Sequence, residues 1–126
     1  MRMRGAYIRI SLDLTNAGGT LADIEEDQRR LEKLVENNGM KVRKVLADSF
    51  GADVGYELVL TLEESFILVE TWPEIKMVKV VVDICHVSRD NTKGAHAIAD
   101  GIIAMFKSPD LVAEKRIEVR PGVAIS

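Results

Sequence analysis

Tyr56-Glu57-Leu58-Val59-Leu60-Thr61-Leu62, then Phe66-Ile67-Leu68-Val69-Glu70-Thr71, then Met77 to Val87, is the stretch whose reading decides the fold. In the first run Leu58, Leu60 and Leu62 oppose Glu57, Val59 and Thr61, the two-residue period of a strand with unlike faces. The second run is rich in β-formers and stops at Trp72-Pro73-Glu74, because proline lacks the amide donor that a central strand needs. The two runs predict a hairpin with Ser65 at its tip. In the third run Val80, Val82 and Ile84 share one face, and Lys79, Val81, Asp83 and Cys85 share the other.

Outward from this centre, residues 6 to 14 alternate Ala6, Ile8, Ile10, Leu12 and Leu14 with Tyr7, Arg9, Ser11 and Asp13, which predicts another one-faced strand. Asn16-Ala17-Gly18-Gly19 is its turn. Thr20 with Asp23 resembles a capping box, Leu21, Ile24, Leu31, Leu34 and Val35 keep helical spacing, and Gly39 stands where a C-terminal cap belongs. A helix is expected over 21–38, and a weaker strand over Met40 to Asp48. Asp90-Asn91-Thr92 offers caps for a second helix striped by Ala95, Ile98, Ala99, Ile102, Met105 and Phe106 and ended by Pro109. Ile117 and Val119 mark a last strand. The order β-α-β-β-β-β-α-β with short connections predicts one α+β domain over 1–126, a two-layer sandwich of a mainly antiparallel sheet with two helices on one face. The other face mixes Val59, Thr61, Val81 and Cys85 with charges, too apolar to stand wholly in water, so a second copy is expected to pack sheet to sheet on it as a homodimer.

Composition narrows the function classes. With 126 residues, 47% hydrophobic, and 17 basic against 20 acidic side chains, the chain reads as a single folded domain rather than a disordered one. Basic residues are interspersed with acidic ones, so no nucleic-acid partner is expected. No apolar run reaches the length of a membrane span and the first ten residues lack a signal-peptide core, so neither a membrane partner nor export is expected, and a cytoplasmic location is. Cys85 is the single cysteine and cannot close an internal disulfide, and with His86 and His96 it leaves too few ligands for a structural zinc cage, so no metal is expected. Gly18-Gly19-Thr20 lacks the lysine and spacing of a phosphate-binding loop, and no nucleophile-elbow or zinc-protease motif occurs.

Glu64-Ser65 followed by Thr71-Trp72-Pro73-Glu74 resembles the signature of the prokaryotic S-adenosylmethionine decarboxylases, whose proenzymes read approximately E-S-H-x-[ST]-[IV]-H-T-W-P-E before a strand that ends near a catalytic cysteine. Cys85, 20 residues after Ser65, falls at the family's cysteine when no gap is placed between them; anchoring on Asp83 instead would put that position on Val87. The resemblance implies self-cleavage between Glu64 and Ser65 and conversion of Ser65 to a pyruvoyl group, the electron sink for loss of carbon dioxide from S-adenosylmethionine in polyamine (spermidine) synthesis. It implies Cys85 as the acid that returns a proton, Glu74 as the acceptor for the substrate's ribose hydroxyls, and Phe50 and Phe66 as candidates to stack on adenine.

The chain also departs from that pattern. The family's processing histidine is Glu70 here, the histidine after the serine is Phe66, and a processing serine eight residues before the cleavage point falls on Glu57. Two neighbouring carboxylates can share a proton and so supply an acid and a base in place of the lost groups. Two readings stay open: an active pyruvoyl-dependent decarboxylase, and an unprocessed, non-catalytic member of the fold that binds an adenosyl ligand or serves as an interaction module.

Overall fold

The computed structural model describes residues 2–3, 7–18, 21–51, 53–63, 65–85, 91–107, 112–120 and 124–125. In chain order these form β1 (Arg2–Met3), β2 (Tyr7–Leu14), α1 (Ile24–Asn37), β3 (Lys44–Ser49), β4 (Tyr56–Leu62), β5 (Ser65–Trp72), β6 (Met77–Cys85), α2 (Thr92–Met105), β7 (Val112–Arg120) and β8 (Ala124–Ile125). Six strands make one sheet in the order β3-β4-β5-β6-β2-β7, every neighbouring pair antiparallel. A separate two-stranded sheet joins β1 to β8, a pairing too short to leave a pattern in the sequence.

The expected alternation is met in the central strands. Ile8, Ile10, Leu12 and Leu14 of β2, Leu58, Leu60 and Leu62 of β4, Ile67 and Val69 of β5, and Val78, Val80, Val82 and Ile84 of β6 are all buried on one side. Both helices cover that side: α2 lies over β2 and β6, α1 over β4 and β3, and the helices touch each other. They approach so closely at Gly101 that a methyl group there would overlap the Leu34 side chain. The stripe Ala95, Ile98, Ala99 and Ile102 of α2 and Leu31 and Val35 of α1 close the core, as apolar residues at helical spacing must.

Several boundaries differ from the sequence reading. The first helix begins at Ile24 rather than 21, because the Asp23 carboxylate accepts from the Glu26 amide at 3.1 Å and caps it there, whereas Thr20 lies outside the described residues. Met40 does not open a strand: its amide donates to the Val35 carbonyl, which folds the chain back on the end of α1, and β3 starts at Lys44. Gly39 does take the left-handed conformation expected beyond a helix end, with φ of 78°. Asn91 occupies the N-cap position of α2 but makes no side-chain cap bond; Asp90 lies outside the described residues, as does Pro109. The strand expected to reach Val87 is described to Cys85.

One buried polar group was not anticipated. Asp27 of α1 and Tyr56 of β4 are both buried, and the phenol donates to the Asp27 carboxylate at 2.7 Å. Beside them the Thr71 hydroxyl accepts from the Tyr56 amide at 3.1 Å and donates to the Leu21 carbonyl at 2.5 Å, so the segment before α1 and the middle of the sheet are tied through side chains. Burial first, and then the Asp27 charge, raise the Tyr56 phenol above its ordinary value of 10, so it stays neutral in the fold.

A raised phenol pKa gives stability that is complete below pH 10 and is lost as pH rises beyond it, where unfolded tyrosine releases its proton and the folded one does not. The difference in unfolding free energy between wild type and Tyr56→Phe is therefore expected to be constant below about pH 10 and to shrink by up to about 1.4 kcal/mol per pH unit above it. At neutral pH Tyr56→Phe is expected to cost about 1–3 kcal/mol, because a buried acceptor loses a donor. Urea titrations of both proteins from neutral pH to the alkaline range check both statements.

Candidate active site

Ser65 opens β5. Leu62 and Ser65 face each other in the register of the β4–β5 hairpin, so the serine sits at its tip as the alternation predicted, while Glu64 lies outside the described residues. The neighbouring strand β6 ends at Cys85, and the Cys85 amide donates to the Ser65 hydroxyl oxygen at 2.8 Å. The Asn91 side chain donates to the Cys85 carbonyl at 3.4 Å. The last residue of β6 is thus held from two directions. Cys85 is half-buried and belongs to the helix-free side of the sheet, opposite Tyr7 of β2.

The helix-free side next to this point carries an ion pair. Asp83 faces Phe66 on one flank and Arg9 on the other. The Arg9 guanidinium donates to Asp83 Oδ2 through Nε and Nη2, both at 2.7 Å, and its carbon stands 6.0 Å from the centre of the Phe66 ring. The hydrogen bond to Asp83 raises the Arg9 pKa, with burial acting in the opposite direction. An aromatic face, a guanidinium and a carboxylate therefore stand in one row across the sheet, one position along from the Ser65–Cys85 contact.

Glu57, Glu70, Glu74 and Phe50 lie at the other end of the strands. Glu57 and Glu70 face each other across β4 and β5 on the helix-free side, with Asp48 beside Glu57 and Lys79 beside Glu70. Glu74 is exposed in a 3₁₀ turn, Pro73–Ile75, and Phe50 is exposed just after β3. Five residues of β5 separate Ser65 from Glu70, which at strand rise is about 17 Å. Within one chain the fold brings together Ser65, Cys85 and Phe66, and separately pairs Glu57 with Glu70; Glu74 and Phe50 lie toward the end of the strands that holds the glutamates, and the two groups are not in contact.

Arg9, Asp83, Tyr7 and Asn91 were not singled out in the sequence as site residues. Arg9, Asp83 and Tyr7 were legible only as residues of polar strand faces, and which of them touch depends on the register between β2 and β6, two strands far apart in sequence. His96 lies on α2 and His86 outside the described residues, and among the described residues no group of three His, Cys, Asp or Glu side chains is placed to hold a metal ion.

Comparison with known proteins bears on the same segment. The family model described as S-adenosylmethionine decarboxylase matches residues 8–109, from β2 through α2, and so takes in Ser65, Cys85 and every carboxylate named above. The chain belongs to the S-adenosylmethionine decarboxylase family. Among solved structures it resembles the adenosylmethionine decarboxylase from Aquifex aeolicus VF5, with a TM-score of 0.70 and 20% identity over 98% of this chain and 95% of that one. At this identity the likeness speaks for the fold: both are two-layer α+β sandwiches over nearly their whole length. No curated protein matches the chain at a significant level.

In this decarboxylase-family chain the Arg9–Asp83 pair is the group of the site most open to a direct energetic test. Arg9→Leu is expected to lower stability by about 1–2 kcal/mol, less than the loss typical of a fully buried pair because the Arg9 side chain is 42% exposed. Arg9→Leu combined with Asp83→Leu is expected to recover part of that loss, since no charge then remains to be desolvated. Thermal unfolding of the three variants and wild type checks this double-mutant cycle.

Proposed function

We propose that the protein acts on S-adenosylmethionine as a pyruvoyl-dependent decarboxylase of polyamine (spermidine) synthesis, with Ser65 the precursor of the pyruvoyl group. The observation that carries this reading is the hydrogen bond from the Cys85 amide to Ser65 Oγ. A donor at that oxygen favours the deprotonated hydroxyl that attacks the preceding carbonyl, and it stabilises the negative charge left on the oxygen when the bond from Cβ to Oγ breaks in the elimination. Because Oγ accepts from Cys85, its own proton is left to be given away. The ketone of a pyruvoyl group at this place supplies the electron sink for loss of carbon dioxide, and the Cys85 thiol on the neighbouring strand is the candidate to hand a proton to the substrate carbon. Phe66 offers a flat face to adenine, and the Glu74 carboxylate is suited to accept two bonds from a ribose.

The distance between the two groups of residues gives the proposed centre a second requirement, another copy of the chain. On the helix-free side Leu46, Val59, Leu68 and Val81 form one row across four strands. Phe66 lies two residues to one side of that row and Glu70 two residues to the other. If two sheets pack face to face about a two-fold axis that runs along the apolar row, the partner's Glu70 stands against Phe66, its Glu57 against Thr61 and its Lys79 against Asp83. Glu57 and Glu70 of one copy would then lie at the end of the strands that carries Ser65 in the other, where their charge would offset the sulfonium of the substrate. Val81→Asp is expected to dissociate such a dimer, because it buries a charge without a counter-charge in the seam; a sedimentation measurement at micromolar concentration checks it.

The second reading, an unprocessed member that binds an adenosyl ligand or acts as an interaction module, is favoured by the glutamates that stand where the family keeps a histidine and a serine. Intact mass followed over time separates the two. Slow appearance of chains of 64 and 62 residues, the second blocked at its start, is the expected result, faster when Glu70→His is combined with Glu57→Ser. A 126-residue chain that stays whole in both proteins leaves the second reading. Binding is expected in either case, and calorimetric titration with S-adenosylmethionine should show Glu74→Ala weakened by about 1.5–3 kcal/mol. Equal affinity in wild type and Glu74→Ala would reduce the Trp72-Pro73-Glu74 segment to a turn.

A further inference from the structure

The edge strand β7 presents apolar side chains on the side of the sheet where the helices lie, yet beyond their reach. Ile117 and Val119 face Ile10 and Ile8 of β2. Those two isoleucines are buried, whereas Ile117 is 45% and Val119 62% exposed. Packing of sheet on sheet cannot cover them, because it covers the opposite side. At the other edge of the sheet the exposed Leu46 of β3 faces the helix-free side, where such packing does reach. Among the described residues β7 is bonded to a strand on one flank only, so the second flank offers a ladder of backbone groups beside an apolar pair, the usual template for strand addition.

The charges on β7 point to the occupant. In a two-fold antiparallel pairing, residues opposite each other lie on the same side of the sheet, so the axis passes through a residue and not between two. With the axis at Ile117, Ile117 meets its own copy and Arg116 meets Glu118 of the partner, twice over. An axis at Arg116 or at Glu118 would put like charges face to face. Lys115 in the favoured register stands across from the partner's Val119, where its aliphatic stem can cover the exposed valine. We propose that a second copy of this chain docks antiparallel along β7 with Ile117 on the two-fold axis, which joins two six-stranded sheets edge to edge. This pairing does not depend on the catalytic reading, and it adds to whatever the helix-free face does.

Sedimentation and native mass of the full chain test it. Wild type is expected to have twice the mass of Glu118→Arg, in which arginine faces arginine at both symmetric positions, and Arg116→Glu combined with Glu118→Arg is expected to restore the wild-type mass. The register is tested by cross-linking in a Cys85→Ser background. Ile117→Cys should oxidise to a disulfide between copies, since residues on the axis come within disulfide reach. Val119→Cys should not, because its two copies would be about 13 Å apart. Equal masses for wild type and Glu118→Arg, no cross-link at Ile117→Cys, or a cross-link as ready at Val119→Cys would each overturn the proposal.

Discussion

The register between β4 and β5 is the constraint on which the rest of the structure depends. It pairs Leu62 with Ser65 and Glu57 with Glu70, and between them it stacks Leu58 on Val69 and Leu60 on Ile67. The period of a strand is two, so a slip of one residue would turn one strand over against the other: either Leu58 and Leu60 leave the core and Glu57 enters it, or Ile67 and Val69 leave and Glu70 enters. Burying a carboxylate without a partner costs far more than any small adjustment of the turn. The leucines that build the core thus also fix which residue stands at the hairpin tip. Ser65 is placed by hydrophobic burial several residues away from it.

The tip alone would leave the serine hydroxyl loosely oriented. Its partner is the amide at the end of β6, and β6 is held in register by its own two-faced pattern against β5 on one side and β2 on the other. Arg9 and Asp83 add a specific lock between β2 and β6 on the helix-free side. On the opposite side the Asp27–Tyr56 and Thr71–Leu21 bonds fasten the start of α1 to the sheet near the far end of the same strands. Among the described residues each buried polar side chain meets a partner, as it must where water cannot reach. The ends of β5 therefore sit in different surroundings: one beside an amide and a thiol, the other beside carboxylates and the anchored start of a helix.

Much of this was legible in the sequence because it follows from local rules. Alternation in β2, β4 and β6, the stop at Pro73 and the apolar stripe of α2 each need only a few neighbouring residues, and they suffice for the sandwich and for helices on one face. The 20-residue spacing of Ser65 and Cys85 was legible too, as part of a family signature, but their contact comes only with the register of β5 on β6. What escaped depends on residues distant in the chain. Asp27 stands in sequence among the other charged residues of α1, and only the arrival of Tyr56 from the sheet makes its burial tolerable. Arg9 and Asp83 are separated by 74 residues, so neither could announce the other. Met40 carried strand propensity, but the amide bond to Val35 and packing against the core override it.

The separation of the two residue groups on β5 has a physical consequence for any chemistry at Ser65. A proton donor or acceptor must come within about 3 Å of the atom it serves, and a rigid strand cannot bend Glu70 across five residues to do so. Either the glutamates act on another copy of the chain, or they do not act on Ser65 at all. The row Asp48, Glu57 and Glu70 also has Lys79 as its cationic neighbour on β6, so its carboxylates gather negative charge along one line of the helix-free face. Such a line repels its own image, which disfavours packing that sets the row against itself. The row at the other end of the strands sets Arg9 between Asp83 and Glu118, so its charge is met within the sheet and does not draw the glutamates to it. Their negative charge is therefore left for a cationic group brought from outside the sheet, as a cationic substrate would bring.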